Sequence, residues 1–242
     1  MTHAWMFRSL LTAAAVVLPT LFPPAQAGVV ASRVALQGIM GGPGTLETFN
    51  GFSIRNGDSL EISCNPLSST ATCNGQGPGL IVPGIEISQA TYRVIWNGTG
   101  YFAATTSRTI RGFSAALGGQ LDISFAQSQR AVGFDLAAVA FFPDVGTVSF
   151  FGPDQTTLLG TISAITLPAS GAFSFAGWAD AGGIGRVTLA GSAYNWSPLL
   201  DNLEFAAVSV PEPTSLALLA WRGAIGGPGP SSPRCGEIGS VT

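Results

Sequence analysis

The stretch "QLDISFAQSQRAVGFDL", residues 120–136, decides how this chain folds. Leu121, Ile123 and Phe125 alternate with Asp122, Ser124 and Ala126, and the pattern returns at Val132, Phe134 and Leu136, separated by Gly133 and Asp135. Side chains of a β-strand point to opposite faces in turn, so each run has one dry face and one wet face, the mark of a half-buried antiparallel strand. Downstream, "GRVTLAG" repeats the arrangement, with Val187 and Leu189 on one side and Arg186 and Thr188 on the other. Between Gly28 and Val208 period-two alternation is frequent and no stretch carries sustained helical periodicity.

Turn chemistry falls between the runs at short intervals: "NGD" at Asn56, "NGTG" at Asn97, "FPDVG" at Phe141, "GPDQT" at Gly152 and "ADAGG" at Ala179. Strands of about five to seven residues, each closed by such a turn, give roughly ten to thirteen strands and leave no room for crossover helices. The expected fold is therefore all-β, an antiparallel sandwich of two stacked sheets in a jelly-roll-like arrangement over residues 28–208. Residues 28–83 are richer in Gly, Ser and Asn and alternate less cleanly, as an irregular edge of the same domain would. No internal repeat is visible, which argues against a solenoid or propeller.

Composition narrows the function more by what is missing than by what is present. The 242 residues are 46% hydrophobic and 10% charged, enough apolar material for a packed core. The net charge of −3 is spread without basic blocks, so the phosphate-neutralising surface that nucleic acid requires is lacking. All ten basic residues are arginine, and the single histidine is His3. A chain without lysine, and without histidine once its amino end is removed, cannot run Ser-His-Asp or Cys-His catalysis, form a Schiff base, supply a P-loop lysine or build a His-ligated zinc site. Hydrolysis by a carboxylate pair survives this filter, because Asp and Glu number thirteen, and so does calcium binding, which needs only oxygen ligands.

The amino end reads as an address. Residues 1–27, "MTHAWMFRSLLTAAAVVLPTLFPPAQA", have Arg8 near the start, an apolar stretch from Leu10 to Phe22, and the small-residue triplet Ala25-Gln26-Ala27. That is the layout of a secretory signal peptide, cut after Ala27. Export places the cysteines in an oxidising compartment, where Cys64 and Cys73 in "CNPLSSTATC" are expected to close a disulfide loop. Cys235 is left over.

Near the carboxyl end the chain reads "VPEPTSLALLA", Val210 to Ala220. Together with the body stretches "QLDISFAQSQRAVGFDL", "VSFFGPDQTTLLGTIS", "FSFAGWADAGGIGRVTLAG" and "LLDNLEF", this resembles exported bacterial proteins that carry a PEP-CTERM sorting signal. The resemblance implies that Pro211, Glu212 and Pro213 are read by an exosortase-type membrane enzyme, with delivery to the cell surface or the exopolysaccharide matrix. The family continues with a full membrane helix and an arginine cluster, whereas here Trp221-Arg222-Gly223 leads into "AIGGPGPSSPRCGEIGSVT". Leu216 to Ala220 would span only about 7–8 Å as helix against a hydrocarbon core of roughly 30 Å. Residues 209–220 thus read as a partial sorting signal and residues 221–242 as an aberrant, disordered tail of the kind a frameshift produces.

Candidate site residues are few. In "LLDNLEF", period two places Asp201 on the same inward side as Leu203 and Phe205, where a carboxylate must be paired, hydrogen-bonded or bound to a metal such as calcium. The same spacing puts Asp201 and Glu204 on opposite faces, so they would not flank one bond. Trp178 with Asp180, joined by Tyr194 and Trp196, is a candidate sugar-stacking surface, and a structural role for these aromatics is the competing reading. Asp58, Asp144 and Asp154 read as turn-forming carboxylates. The sequons at Asn97 and Asn195 read as coincidence in a bacterial protein. The expected function is a non-catalytic, exported surface or matrix component, structural or polysaccharide-binding, with a carboxylate-dependent glycoside hydrolase or lyase as the alternative.

Overall fold

The structure, a computed structural model, describes residues 27–90, 93–101, 107–114, 119–139, 144–168, 172–191 and 197–208. Residues 1–26 of the expected signal peptide, Tyr194, Asn195, Trp196, the expected sorting residues Pro211, Glu212 and Pro213, and the tail with Cys235 lie outside the described residues. The elements in chain order are β1 (Gly28–Val29), α1 (Arg33–Met40), β2 (Thr45–Glu47), β3 (Ser59–Glu61), β4 (Leu67–Ser68), β5 (Ile85–Ser88), β6 (Arg93–Asn97), β7 (Thr109–Phe113), β8 (Gln120–Ala137), β9 (Asp144–Phe151), β10 (Leu158–Leu167), β11 (Ser174–Gly191) and β12 (Leu199–Ala207). Among the described residues every strand pairing is antiparallel.

The alternating runs around residue 120 and residue 185 belong to two 18-residue strands, β8 and β11, which pair with each other. Each long strand serves both layers. Residues 120–126 of β8 and 186–191 of β11 sit in a layer ordered β10-β9-β11-β8-β5-β4. Residues 129–137 of β8 and 174–179 of β11 sit in a second layer, ordered β1-β11-β8-β12-β7-β6-β3, with β2 also paired to β12. "ADAGG", expected to be a turn between short strands, is instead the corner where β11 changes layer: Ala179 pairs with Ala131 and Ile184 with Gln129, so four residues face one. Gly183 supplies the positive φ of 96° that this corner needs.

The layers meet through their dry faces. Phe150 of one layer stacks on Trp178 and Phe134 of the other at 5.3 and 6.4 Å between centroids, and Phe125 meets Phe205 at 5.4 Å. Each such fully buried side chain contributes roughly 1.5–3 kcal/mol. The irregular first part joins the same core through Phe49, Phe52, Leu67 and Leu80.

Helix α1 departs from the all-strand expectation, because eight residues are too few to display a 3.6-residue period. Local signals define it nonetheless. The Ser32 hydroxyl accepts the Ala35 N–H at 3.2 Å as an N-cap, and Gly41 ends the helix at φ 82°. Its buried Leu36 lies in a hollow of the second layer's outer face, where a Cβ on Gly133 would come within 2.8 Å of the leucine and 2.7 Å of Phe175. Among the described residues no helix is long and apolar enough to cross a membrane.

Candidate functional site

The carboxylate that the sequence singles out is buried, but on the other face from the one expected. On β12, Asp201 pairs with Asp135 and Glu204 with Gly133, so three steps on this strand match two on β8. The extra residue is a bulge at Asn202, held at φ 47°. Cross-strand partners share a face, and so do residues two apart, which puts Asp201, Asp135 and Glu204 together on the outer face that α1 covers. Leu203 and Phe205 still enter the core. Two expectations are thereby corrected for one reason, the bulge: Asp201 does not share the inward side with Leu203 and Phe205, and Asp201 and Glu204 are not on opposite faces.

Arg33, from the first turn of α1, holds this cluster. Its guanidinium contacts Glu204 at 2.7 Å and Asp135 at 3.1 Å, donates to the Asn202 carbonyl at 2.9 Å, and lies 5.5 Å from the Phe175 ring centre. Glu204 also accepts from Gln37 Nε2 at 2.9 Å and from the Gly44 N–H at 3.1 Å. Asn202 donates through its side-chain amide to Asp135 at 2.9 Å and Asp201 at 3.2 Å, and through its N–H to Asp201 at 2.7 Å. The Ser107 hydroxyl donates to Asp201 Oδ2, the oxygen that also accepts the Asn202 side-chain amide.

These contacts set the carboxyl groups apart. Burial pushes Asp201 up to about 6; hydrogen bonds from Ser107 and Asn202 oppose the rise, the charge of Asp135 adds to it and that of Arg33 opposes it. For Glu204 burial is the largest single influence and also pushes upward, yet Gln37, Arg33 and the Gly44 N–H together hold it below the usual carboxylate range. An acid and a carboxylate on one face are what a hydrolase would need. Here, however, Asp201 is 1% exposed, and the shallow cleft of about 240 Å³ that Arg33, Asn202 and Glu204 line does not include it. Both oxygens of each carboxylate are already taken by donors from α1, Gly44, Ser107 or the bulge. The arrangement fastens α1 and the Gly44 segment to β12. Among the described residues no three His, Cys, Asp or Glu side chains are grouped as a metal site, and both oxygens of Asp201 accept hydrogen bonds.

Trp178 is core rather than platform. It is 9% exposed, stacks on Phe150, and lies over Gly160, where a Cβ would come within 2.2 Å of the ring. A sugar cannot reach it. Asp180 accepts the Gly182 N–H at 2.7 Å and so shapes the corner of β11. Asp154 accepts from the Thr157 hydroxyl and from the N–H groups of Thr157 and Thr156, which together hold its carboxyl well below the usual range, and Asp144 accepts from Val145. Asn97 is 0% exposed, with its amide on Thr109, so its sequon has no accessible acceptor.

Cys64 and Cys73 form the expected disulfide, with Cα atoms 5.3 Å apart. Asn74 continues the bridge by donating to the Glu61 carbonyl and accepting from the Ser63 N–H. Sequence reasoning missed Arg33, Gln37 and Asp135 as partners of Asp201 and Glu204, and it missed Glu47. That buried carboxylate accepts the N–H groups of Phe49 and Val82, and burial raises it above its ordinary value. The residue types alone carried no signal, since these contacts join segments far apart in the chain.

No family model matches the chain, and no curated protein matches it. Among solved structures, the chain is similar to the K2 cleaved adhesin domain of Lys-gingipain, at 11% identity and a TM-score of 0.36, over 67% of this chain and 98% of that one.

Proposed function

We propose that this chain is an exported, non-catalytic component of a bacterial cell surface or extracellular matrix. The observation that carries the reading is the Cys64–Cys73 disulfide within the folded body, which suits an oxidising compartment and agrees with the signal-peptide layout of residues 1–27. The resemblance of "VPEPTSLALLA" to a PEP-CTERM signal supports delivery to the envelope by an exosortase-type enzyme, and the short apolar run after Pro213 supports release in place of membrane retention. Non-catalytic character is supported by the lack of lysine, by the loss of His3 with the signal segment, and by the occupied carboxylates of the Arg33 cluster.

The test is expression of the full chain in an exporting bacterial host, followed by fractionation, intact-mass measurement and thiol counting. The expected product is found outside the cytoplasm, begins at Gly28, and retains one free thiol at most. A cytoplasmic chain that keeps Met1 and three free thiols would overturn the reading.

A further inference from the structure

Four Asn-Gly pairs lie in the described body, at 50–51, 56–57, 74–75 and 97–98. An asparagine loses its amide most readily ahead of glycine, which has no side chain to shield its backbone nitrogen from the neighbouring Cγ. The adjoining residue is the same at all four positions, so the fold decides which of them reacts.

Three of the pairs are held. Asn50 donates through its amide to Thr48 Oγ1 at 3.0 Å, and its carbonyl accepts from Arg108 at 2.8 Å. Gly51 beside it packs so closely that a Cβ there would come within 2.1 Å of the Leu80 carbonyl oxygen. Asn74, next to the disulfide, donates to the Glu61 carbonyl and accepts from the Ser63 N–H, both at 2.9 Å. Asn97 is buried with its amide on Thr109, and the Gly98 N–H donates to the Asp58 carbonyl at 2.8 Å. Asn56 differs. It and Gly57 are exposed, at the tip of a turn that the Asp58 N–H closes onto the Arg55 carbonyl at 3.2 Å. The Asn56 side chain makes no hydrogen bond among the described residues, and nothing lies within 4 Å of a Cβ built on Gly57. The Gly57 N–H donates to the Thr99 carbonyl at 2.9 Å, a bond at the rim of the turn that opens without disturbing the core.

We infer that Asn56 is a site of self-modification, at which the Gly57 nitrogen attacks the Asn56 side chain. The Gly57 N–H gives its proton to hydroxide and the nitrogen bonds to Asn56 Cγ. The Cγ–Nδ2 bond breaks, and the departing nitrogen takes a proton from water and leaves as ammonia, so that a succinimide remains. Water then opens the ring. Addition at Cγ yields an aspartyl residue, and addition at the main-chain carbonyl yields an isoaspartyl residue whose backbone runs through Cβ and Cγ. The isoaspartyl product lengthens a turn that is in backbone contact with its neighbour. Gly57 bonds Thr99, Gly98 bonds Asp58, and a Cβ on Gly98 would come within 2.2 Å of the Arg55 carbonyl oxygen. The added methylene displaces these partners and loosens β3, the end strand of its layer, which enters its pairing with β6 at Ser59 and Asn97.

The experiment is peptide mapping by tandem mass spectrometry of the full secreted chain, incubated in mildly alkaline buffer with and without urea. In urea the four pairs are expected to lose ammonia at similar rates. In the folded chain Asn56 is expected to lead the other three by about tenfold or more, since each of those must first open a held segment. Asn56→Gln, which forms no five-membered ring and replaces an exposed side chain without partners, is expected to keep the melting temperature and to stop the reaction at this position. Hydrogen exchange of the isoaspartyl form is expected to show lost protection at 58–61 and 98–99. Asn50, Asn74 or Asn97 reacting as fast as Asn56 in the folded chain would overturn the inference, as would an Asn56 that reacts in urea and stays intact when folded. Unchanged protection in the isoaspartyl form would overturn the loosening of β3.

Discussion

At the scale of single residues, the bulge at Asn202 makes two carboxylates behave oppositely with pH. Asp201 titrates at about 6 in the folded chain against an ordinary value of 3.8. Below the ordinary value both folded and unfolded chains hold the proton, and the buried group costs nothing. Between about pH 4 and 6 the unfolded chain releases its proton first, so stability falls as pH rises and levels off above that window, by an amount on the order of 3 kcal/mol at most. Asp201→Asn is therefore expected to flatten the decline in denaturant midpoint between pH 4 and 6.5, measured by urea unfolding at a series of pH values. Glu204, held low, works the other way: its contribution is present above its ordinary value of 4.5 and is lost as pH falls through the lower folded value. Arg33→Ala leaves Glu204 and Asp135 facing each other without a cation, and is expected to cost about 2–3 kcal/mol at neutral pH, read as a drop of roughly 5–10 °C in melting temperature. Asp201 could be found from sequence because a carboxylate stood in an apolar strand. Its partners could not, because Arg33 lies 171 positions from Glu204 and meets it only through the register of β12.

At the scale of elements, the long strands depend on places where a side chain would obstruct packing. A Cβ on Gly160 would come within 2.2 Å of the Trp178 ring, and one on Gly133 within 2.8 Å of Leu36. Gly160→Val is expected to destabilise by about 2–4 kcal/mol through overpacking against a rigid ring. Gly133→Val is expected to lift α1 from the sheet, which amide hydrogen exchange would detect as lost protection confined to residues 33–44. Alternation predicted the strands and their dry faces, because side-chain direction is a property of one strand alone. It divided β11 at "ADAGG", since Gly and Asp signal a turn and a bulged corner equally well; the pairing of Ile184 with Gln129 decides between them. Helix α1 shows the reverse case, in which Ser32 and Gly41 were legible caps but the eight residues between them were too few for a period.

At the scale of the whole molecule, two layers sharing β8 and β11 enclose one main core, and the disulfide secures the loop-rich segment that β4 enters. Closing a loop with a sequence separation of nine removes chain entropy worth roughly 2–3 kcal/mol. Paired Cys64→Ser and Cys73→Ser substitutions are expected to lower the thermal midpoint by about 5–10 °C without changing the far-ultraviolet circular dichroism, because most strand pairing lies elsewhere. By itself the sequence determined the fold class, the apolar faces of the regularly alternating runs in β8 and β11, and the disulfide partners, since these follow from side-chain direction and short chain separation. It also determined what chemistry is absent, because a chain with no lysine cannot acquire one by folding. Tertiary structure alone decided that Trp178 is buried, that Asp201 and Glu204 share a face, and that Glu47 is buried against the Phe49 and Val82 N–H groups. Those facts depend on one-residue shifts in register and on which layer covers which, and in a period-two strand a shift of one residue moves every side chain to the other face.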